Sequence, residues 1–415
     1  MIWSDKPRPA LRGVTVFTED RFGRDTCGRP AAIDGARGST AWASYVASGR
    51  PVTIAARTAR ETGTACTPLE SVEVAALPYY VGVCGLLRTA PALVSATFST
   101  VRRSEHVVLR VPGAVTSVAA VACWVLRRPY AVDVVGDAVD AVEGGALGRS
   151  GRICSRPVGR HVRWIVRSAG AARYVTAHAL QSRYPASVGA STVGVSDVRI
   201  DEVAAPGSRA WSAAPFRLVT VGTMEASYKG QDDVLRALAK LRAAGVEASV
   251  DLVGGGRLEE NNRALAHELG VADHVRFRGT VADRALLTRI LDESHVFVLA
   301  SRQEGLPRAL VEAMARGLPA VATNVGGVPE LLNPSCLVAP DDPDSLAETI
   351  GNLLADPVWW RRESECNLRA AQGFHRDVLA ARFGEWLARI PAARRAPNRT
   401  VRRLAGAVPG QGRQI

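Results

Sequence analysis

Short apolar runs rich in Val, Ile and Ala alternate along this chain with helix-length segments, the pattern of parallel α/β sheets. In the first half the pattern predicts strands at Val14–Thr18, Val52–Ala56, Val72–Leu77, His106–Val111, Ala131–Val135, Ala172–Thr176 and near Gly194–Ile200. Helices are expected between them, at Trp42–Ala47, Leu86–Val101, Ala114–Leu126, Val158–Ala169 and Ala179–Tyr184. Asp201–Pro215, with its Ala, Pro, Gly and Ser, reads as a linker. A second set of strands follows at Leu218–Val221, Val250–Val253, Val275–Arg278, Val296–Ala300, Ala320–Thr323 and Cys336–Val338. A long helical stretch, Ser345–Ile390, closes the pattern. The domains expected are therefore 1–205, 206–391 and a basic tail, 392–415, whose Pro, Gly and lack of apolar period predict disorder.

Charge separates these parts. Residues 1–205 carry 25 Lys or Arg against 16 acids, residues 206–391 carry 21 against 24, and the tail carries six against none. A basic first half suits an anionic membrane face or an anionic lipid-linked substrate. Nucleic acid is not expected, because no basic stretch is interleaved with aromatics. The seven cysteines are scattered and never spaced C-x-x-C, which argues for reduced thiols over a disulfide framework or a zinc site. The N-terminus MIWSDKPRPALRG lacks an apolar signal core, and the longest nearly apolar run, Ala114–Leu126, is too short to span a bilayer. The expected location is cytoplasmic, peripheral at the inner membrane face.

The most informative stretch is 296–332, VFVLASRQEGLPRALVEAMARGLPAVATNVGGVPELL. A buried strand leads into a polar loop, Pro307 suits the first helical position, and Gly317 suits the left-handed residue after the helix. Leu310, Val311, Met314 and Ala315 fall on one side and predict the packed face. The helix start at Gly305, Leu306, Pro307 and Arg308 would offer free amides to an anion. Glu304 precedes it, and Glu312 follows about 7.5 Å along the axis at ~1.5 Å rise per residue. Two carboxylates flanking an anion site suit a ligand with hydroxyls on both sides of a diphosphate, the layout of a nucleotide sugar. Spacing alone leaves open a plain alternative, in which Glu304 favours the helix dipole and Glu312 is solvated.

Glu304 and Glu312, the Ala-Met-Ala-x-Gly-x-Pro turn and the loop Gly326-Gly327-x-Pro-Glu330 together closely resemble the donor-site signature of the retaining glycosyltransferases of family four. WASYVASGRPVTIAAR, HVVLRVPG, RPYAVDVVGD and ARYVTAHALQSRYP resemble the acceptor-side domain of an exopolysaccharide and cell-envelope subgroup more loosely. The resemblance implies an α/β GT-B fold, two Rossmann-like domains facing across a cleft, with a C-terminal helix crossing back to the first. It implies a donor linked to UDP or GDP, a glycan or lipid-linked acceptor, and no metal or other cofactor. Glu304 would face the sugar, and Glu312 the ribose hydroxyls.

In GTMEASYKG, residues 222–230, one of only three lysines among 49 arginines follows a strand and precedes a helix. The resemblance assigns Lys229 to the diphosphate, with Gly222 beside the donor. It also leads us to expect arginine where this chain has Thr223, a lost phosphate partner for which Arg302 or Arg308 would compensate. Gly254 and Gly256, in VGGG after a strand, would let backbone approach a ligand closely. In the first domain Arg110 and Asp137 end strands, where either an acceptor contact or an ordinary loop or capping role fits. The alternatives to transfer are a nucleotide-sugar epimerase of the same fold and a non-catalytic GT-B partner protein.

Overall fold

The computed structural model describes residues 9–24, 29–32, 42–59, 67–68, 71–142 and 151–392. The tail expected to be disordered lies, from residue 393 on, outside the described residues.

Two sheets organise the chain. The first contains β1 (Leu11–Arg24), β2 (Pro30–Ala32), β3 (Val52–Thr58), β4 (Thr67–Pro68), β5 (Glu73–Leu77), β6 (Ser104–Val111), β7 (Ala131–Val134), β8 (Ala171–Tyr174) and β9 (Ser191–Gly194). Its parallel strands run in the order β5-β3-β1-β6-β7-β8-β9. β1 is longer than its apolar run: the register shifts between Phe17 and Arg21, and beyond the shift it pairs antiparallel with β2. The second sheet, all parallel, contains β10 (Phe216–Val221), β11 (Ala248–Val253), β12 (Val275–Gly279), β13 (Val296–Leu299), β14 (Ala320–Thr323) and β15 (Leu337–Val338). Its order is β12-β11-β10-β13-β14-β15, the doubly wound arrangement. Central strands such as VFVL and AVAT are buried on both faces, so they read as apolar runs without alternation.

The strand order of the second sheet reverses between β10 and β13. A crevice forms there, beyond the carboxyl ends of the strands, and ligands of open α/β sheets bind in such crevices. The loops after β10 and β13 carry Lys229 and Glu304.

The expected return of the C-terminus is observed. Helix Arg376–Ala388 lies on the first domain, with Phe383 edge-on to Tyr45 at 4.8 Å between centroids and the Arg173 guanidinium 5.2 Å above Phe383. Arg50 donates to the Leu387 carbonyl at 3.3 Å, and His106 meets the Pro391 carbonyl at 3.2 Å. The linker is not loose: Arg209 donates to the carbonyls of Leu291, Ser294 and Arg316, and Ala204 N–H to that of Ala315 at 2.8 Å.

Candidate active site

Glu304 sits in the loop between β13 and helix Arg308–Ala315. Pro307 caps that helix, one residue later than expected, and Gly317 ends it with φ +65°. Leu310, Val311, Met314 and Ala315 are buried, as their spacing predicted. The Glu304 side chain is 8% exposed, and its Oε1 accepts from Lys229 Nζ at 2.6 Å and from Ser301 Oγ at 2.7 Å. Both bonds fall on one oxygen, so Oε2 is the one open to a ligand. Lys229 and Glu304, assigned by resemblance to different parts of a donor, are thus in direct contact. Ser301, wholly buried, was not singled out in the sequence; a serine three residues before the key glutamate was its only signal.

Glycines explain how these loops meet. Gly230 has φ +66°, and a Cβ on it would lie 2.0 Å from the Ala300 carbonyl oxygen, so only glycine brings the Lys229 turn onto the end of β13. On the other side Gly326 has φ +53°, and a Cβ there would lie 1.9 Å from the Glu304 carbonyl oxygen. Gly327 N–H donates to the Gly305 carbonyl at 2.7 Å. The backbone of the glutamate loop is therefore gripped by two glycine turns.

Glu312, on the same helix, is partly buried. Burial pushes its carboxyl above the usual glutamate range, while Arg284 and Arg308 pull the other way. A carboxylate short of polar partners would gain from a ligand's hydroxyls.

Several of the expected site residues have partners within the protein. Gly254 and Gly256 do give close approach, but to protein: Cβ atoms on them would lie 2.1 Å from the Gly222 oxygen and 2.4 Å from the Met224 carbonyl carbon. They lock the Gly222–Thr223 turn, where Thr223 Oγ1 donates to Gly255 O and accepts from Glu225 N–H, both at 3.3 Å. Arg302 does not replace a lost phosphate partner. All five of its N–H groups are engaged by Asp232, Asp233, Asp341 and the Ser227 carbonyl, so it anchors the loop.

Arg110 is buried in the first domain instead of facing an acceptor. It and Arg173 bridge Asp133 and Asp197, with Tyr45 donating to Asp133 at 3.1 Å. Burial opposes the charge on Asp197, yet Arg110 and Arg173 outweigh it and hold the carboxyl well below the usual range. Single charges inside apolar strands, Arg110 in β6, Asp133 in β7 and Arg173 in β8, were the signal for this network. Asp137 is a helix cap: it accepts from Val139 N–H at 2.8 Å and the Tyr184 hydroxyl at 2.7 Å, and pairs with Arg183.

The two domains touch at the glutamate loop. A Cβ on Gly305 would lie 3.0 Å from the Val135 oxygen of the first domain. Glu330 reaches across, its carboxylate accepting from the backbone N–H groups of Ala177, His178 and Ala179 at 2.6, 2.9 and 2.6 Å. Among the described residues, no three His, Cys, Asp or Glu side chains converge as a metal site requires.

Residues 215–356 match the family model described as glycosyl transferases group 1. The chain is 27% identical over 282 residues to protein CapJ of Staphylococcus aureus, covering 68% of this chain and 70% of that one. It is 36% identical over 186 residues to the GDP-mannose-dependent alpha-(1-6)-phosphatidylinositol monomannoside mannosyltransferase of Mycobacterium tuberculosis, 40% of this chain and 46% of that protein. The match to that mannosyltransferase thus spans under half its length. Sucrose-phosphate synthase from Thermosynechococcus elongatus superposes with a TM-score of 0.65 at 19% identity, over 90% of this chain and 97% of that one. HepE of Anabaena, solved with UDP-glucose, superposes with a TM-score of 0.62 at 16% identity, over 91% and 100%. These likenesses make the fold GT-B.

Proposed function

From the match of residues 215–356 to the group 1 glycosyl transferases, we propose that the protein moves a sugar from a nucleotide-diphosphate donor to a glycan or lipid-linked acceptor. The observation that carries this reading is the contact of Lys229 with Glu304 at the sheet's switch point, beside a helix start and a partly buried, underpartnered Glu312.

The donor lies along the crevice with its ribose hydroxyls on Glu312, its diphosphate by the amides of the Arg308–Ala315 helix start and Lys229, and its sugar on Glu304 Oε2. Lys229 sits between the leaving diphosphate and Glu304, so its charge stabilises both as the C1–oxygen bond of the sugar breaks. Ser301 holds Oε1 and keeps the carboxylate turned toward the sugar. The acceptor hydroxyl attacks from the face the diphosphate leaves, which gives retention, and its proton passes to the departing phosphate oxygen. Charge on that phosphate is met by an ammonium and by amides, so the step runs without a metal.

The glycan or lipid-linked acceptor meets the first domain, and UDP or GDP carries the sugar. The mannosyltransferase relative supports transfer over epimerisation. The test is nucleotide release from a panel of UDP- and GDP-sugars, with and without lipid extract and with EDTA. One donor should be turned over faster when extract is present, EDTA should leave the rate unchanged, and the product should keep the donor's anomeric configuration. No release from any donor would overturn the proposal.

A further inference from the structure

Three helices cover one face of the first sheet, and their outward sides differ from the rest of the molecule. Gly82–Arg103 follows β5, Ala114–Val125 follows β6 and Gly151–Arg167 follows the β7 loop; the first packs beside the second, and the second beside the third. Seven of the eleven large apolar side chains exposed among the described residues lie on or beside the first two helices. Leu87 and Trp124 are each 68% exposed, and Val121, Trp124 and Val125 share one side of their helix. Such a concentration needs a covering partner, since single exposed apolar residues are ordinary but a shared face is not.

The charges say which partner. Arg88, Arg102, Arg127, Arg156, Arg160 and Arg167 are exposed on these helices and the turn after the second, and none forms an ion pair among the described residues. The three helices contain no Asp or Glu. Arg156, Arg160 and Arg167 recur at helical spacing on the third helix, beside the apolar pair. Apolar side chains with an exposed tryptophan, flanked by arginines of one sign only, match the boundary between acyl chains and anionic headgroups. Among the described residues no helix is long and apolar enough to cross a membrane, so this face would rest on the surface.

We propose that this three-helix face docks the protein on an anionic lipid bilayer. Helix Gly82–Arg103 starts at the carboxyl end of β5, at the rim of the cleft, so the docked face brings the lipid surface to the acceptor side. This rests on the proposed transfer to a lipid-linked acceptor. A second copy of the chain or a protein partner would need acidic groups facing the arginines, and this face supplies none to a copy of itself.

The full chain is mixed with vesicles of phosphatidylcholine alone or with phosphatidylglycerol added, and pelleted. Binding should need phosphatidylglycerol and weaken with salt. It should fall about ten-fold or more in Arg156→Glu/Arg160→Glu/Arg167→Glu, and by a smaller factor in Leu87→Ser/Trp124→Ala. Nucleotide affinity, and release from the donor measured without lipid, should be unchanged in both variants. Equal binding to neutral vesicles, binding indifferent to both variants, or self-association abolished by Leu87→Ser/Trp124→Ala would overturn the docking proposal. Vesicle binding without donor turnover would instead sink the transferase reading and leave the surface standing.

Discussion

Glu304 and Glu312 are predicted to fail differently. Glu312→Ala should weaken free nucleotide and nucleotide sugar alike by about 1.5–3 kcal/mol, roughly ten- to hundred-fold, if the carboxylate holds ribose hydroxyls. Glu304→Gln should leave nucleotide affinity nearly unchanged and lower turnover strongly, because its contribution grows as the sugar gains positive charge. Calorimetry beside turnover measures both, and equal loss of nucleotide affinity would refute the division. Glu312 also predicts a pH effect. Its carboxyl is raised by burial, and ligand hydroxyls favour the ionised form, so nucleotide binding should release a proton at pH values just above the ordinary 4.5. Affinity should rise with pH through that window, and Glu312→Gln should abolish both effects in calorimetry run in two buffers. These two glutamates were legible in the sequence because their spacing and wording are local. Ser301 and the true employment of Arg302 were not, since each depends on partners from other loops, Asp232, Asp233 and Asp341 among them.

At the scale of elements, the motif's glycines are packing devices before they are anything else. Gly230→Ala and Gly326→Ala each force a left-handed backbone and a carbonyl clash, and should cost at least ~1–3 kcal/mol apiece. Melting temperature should drop in both, with turnover falling further than stability explains because the Glu304 loop shifts. A Gly230→Ala protein as stable and active as its parent would show that the loop has slack. Strands such as β13 and β14 were readable to within a residue, because a strand buried on both faces must be apolar throughout. The sequence pattern predicts a helix at Val158–Ala169, whereas the helix observed runs Gly151–Arg167 and contains Pro157, a residue that costs ~3 kcal/mol inside a helix.

For the whole molecule, the decisive features are those that join distant parts. Glu330 satisfies three backbone N–H groups of the other domain, and Glu330→Ala should leave the domains folded but open the cleft. Small-angle scattering should then show a larger radius of gyration; an unchanged one would mean that the latch does not hold the domains. The Arg110–Asp133–Arg173–Asp197 network ties the first sheet beneath the returning helix, and Asp133→Asn should destabilise by about 3–5 kcal/mol by leaving buried arginine charge unmatched. The depressed Asp197 contributes stability that is complete above its ordinary 3.8 and is lost as pH falls below it. Asp197→Asn should accordingly flatten the acid limb of a stability–pH curve. What the sequence determined by itself was the alternation of strands and helices, the two-domain division and the glutamate signature, all of which are written in residues close together along the chain. The tertiary structure alone decided that Arg302 anchors, that Gly254 and Gly256 support a turn, and that Arg110 is buried. Each of those roles depends on which remote carboxylate or carbonyl arrives at the same point, and residue spacing along one segment carries no record of that.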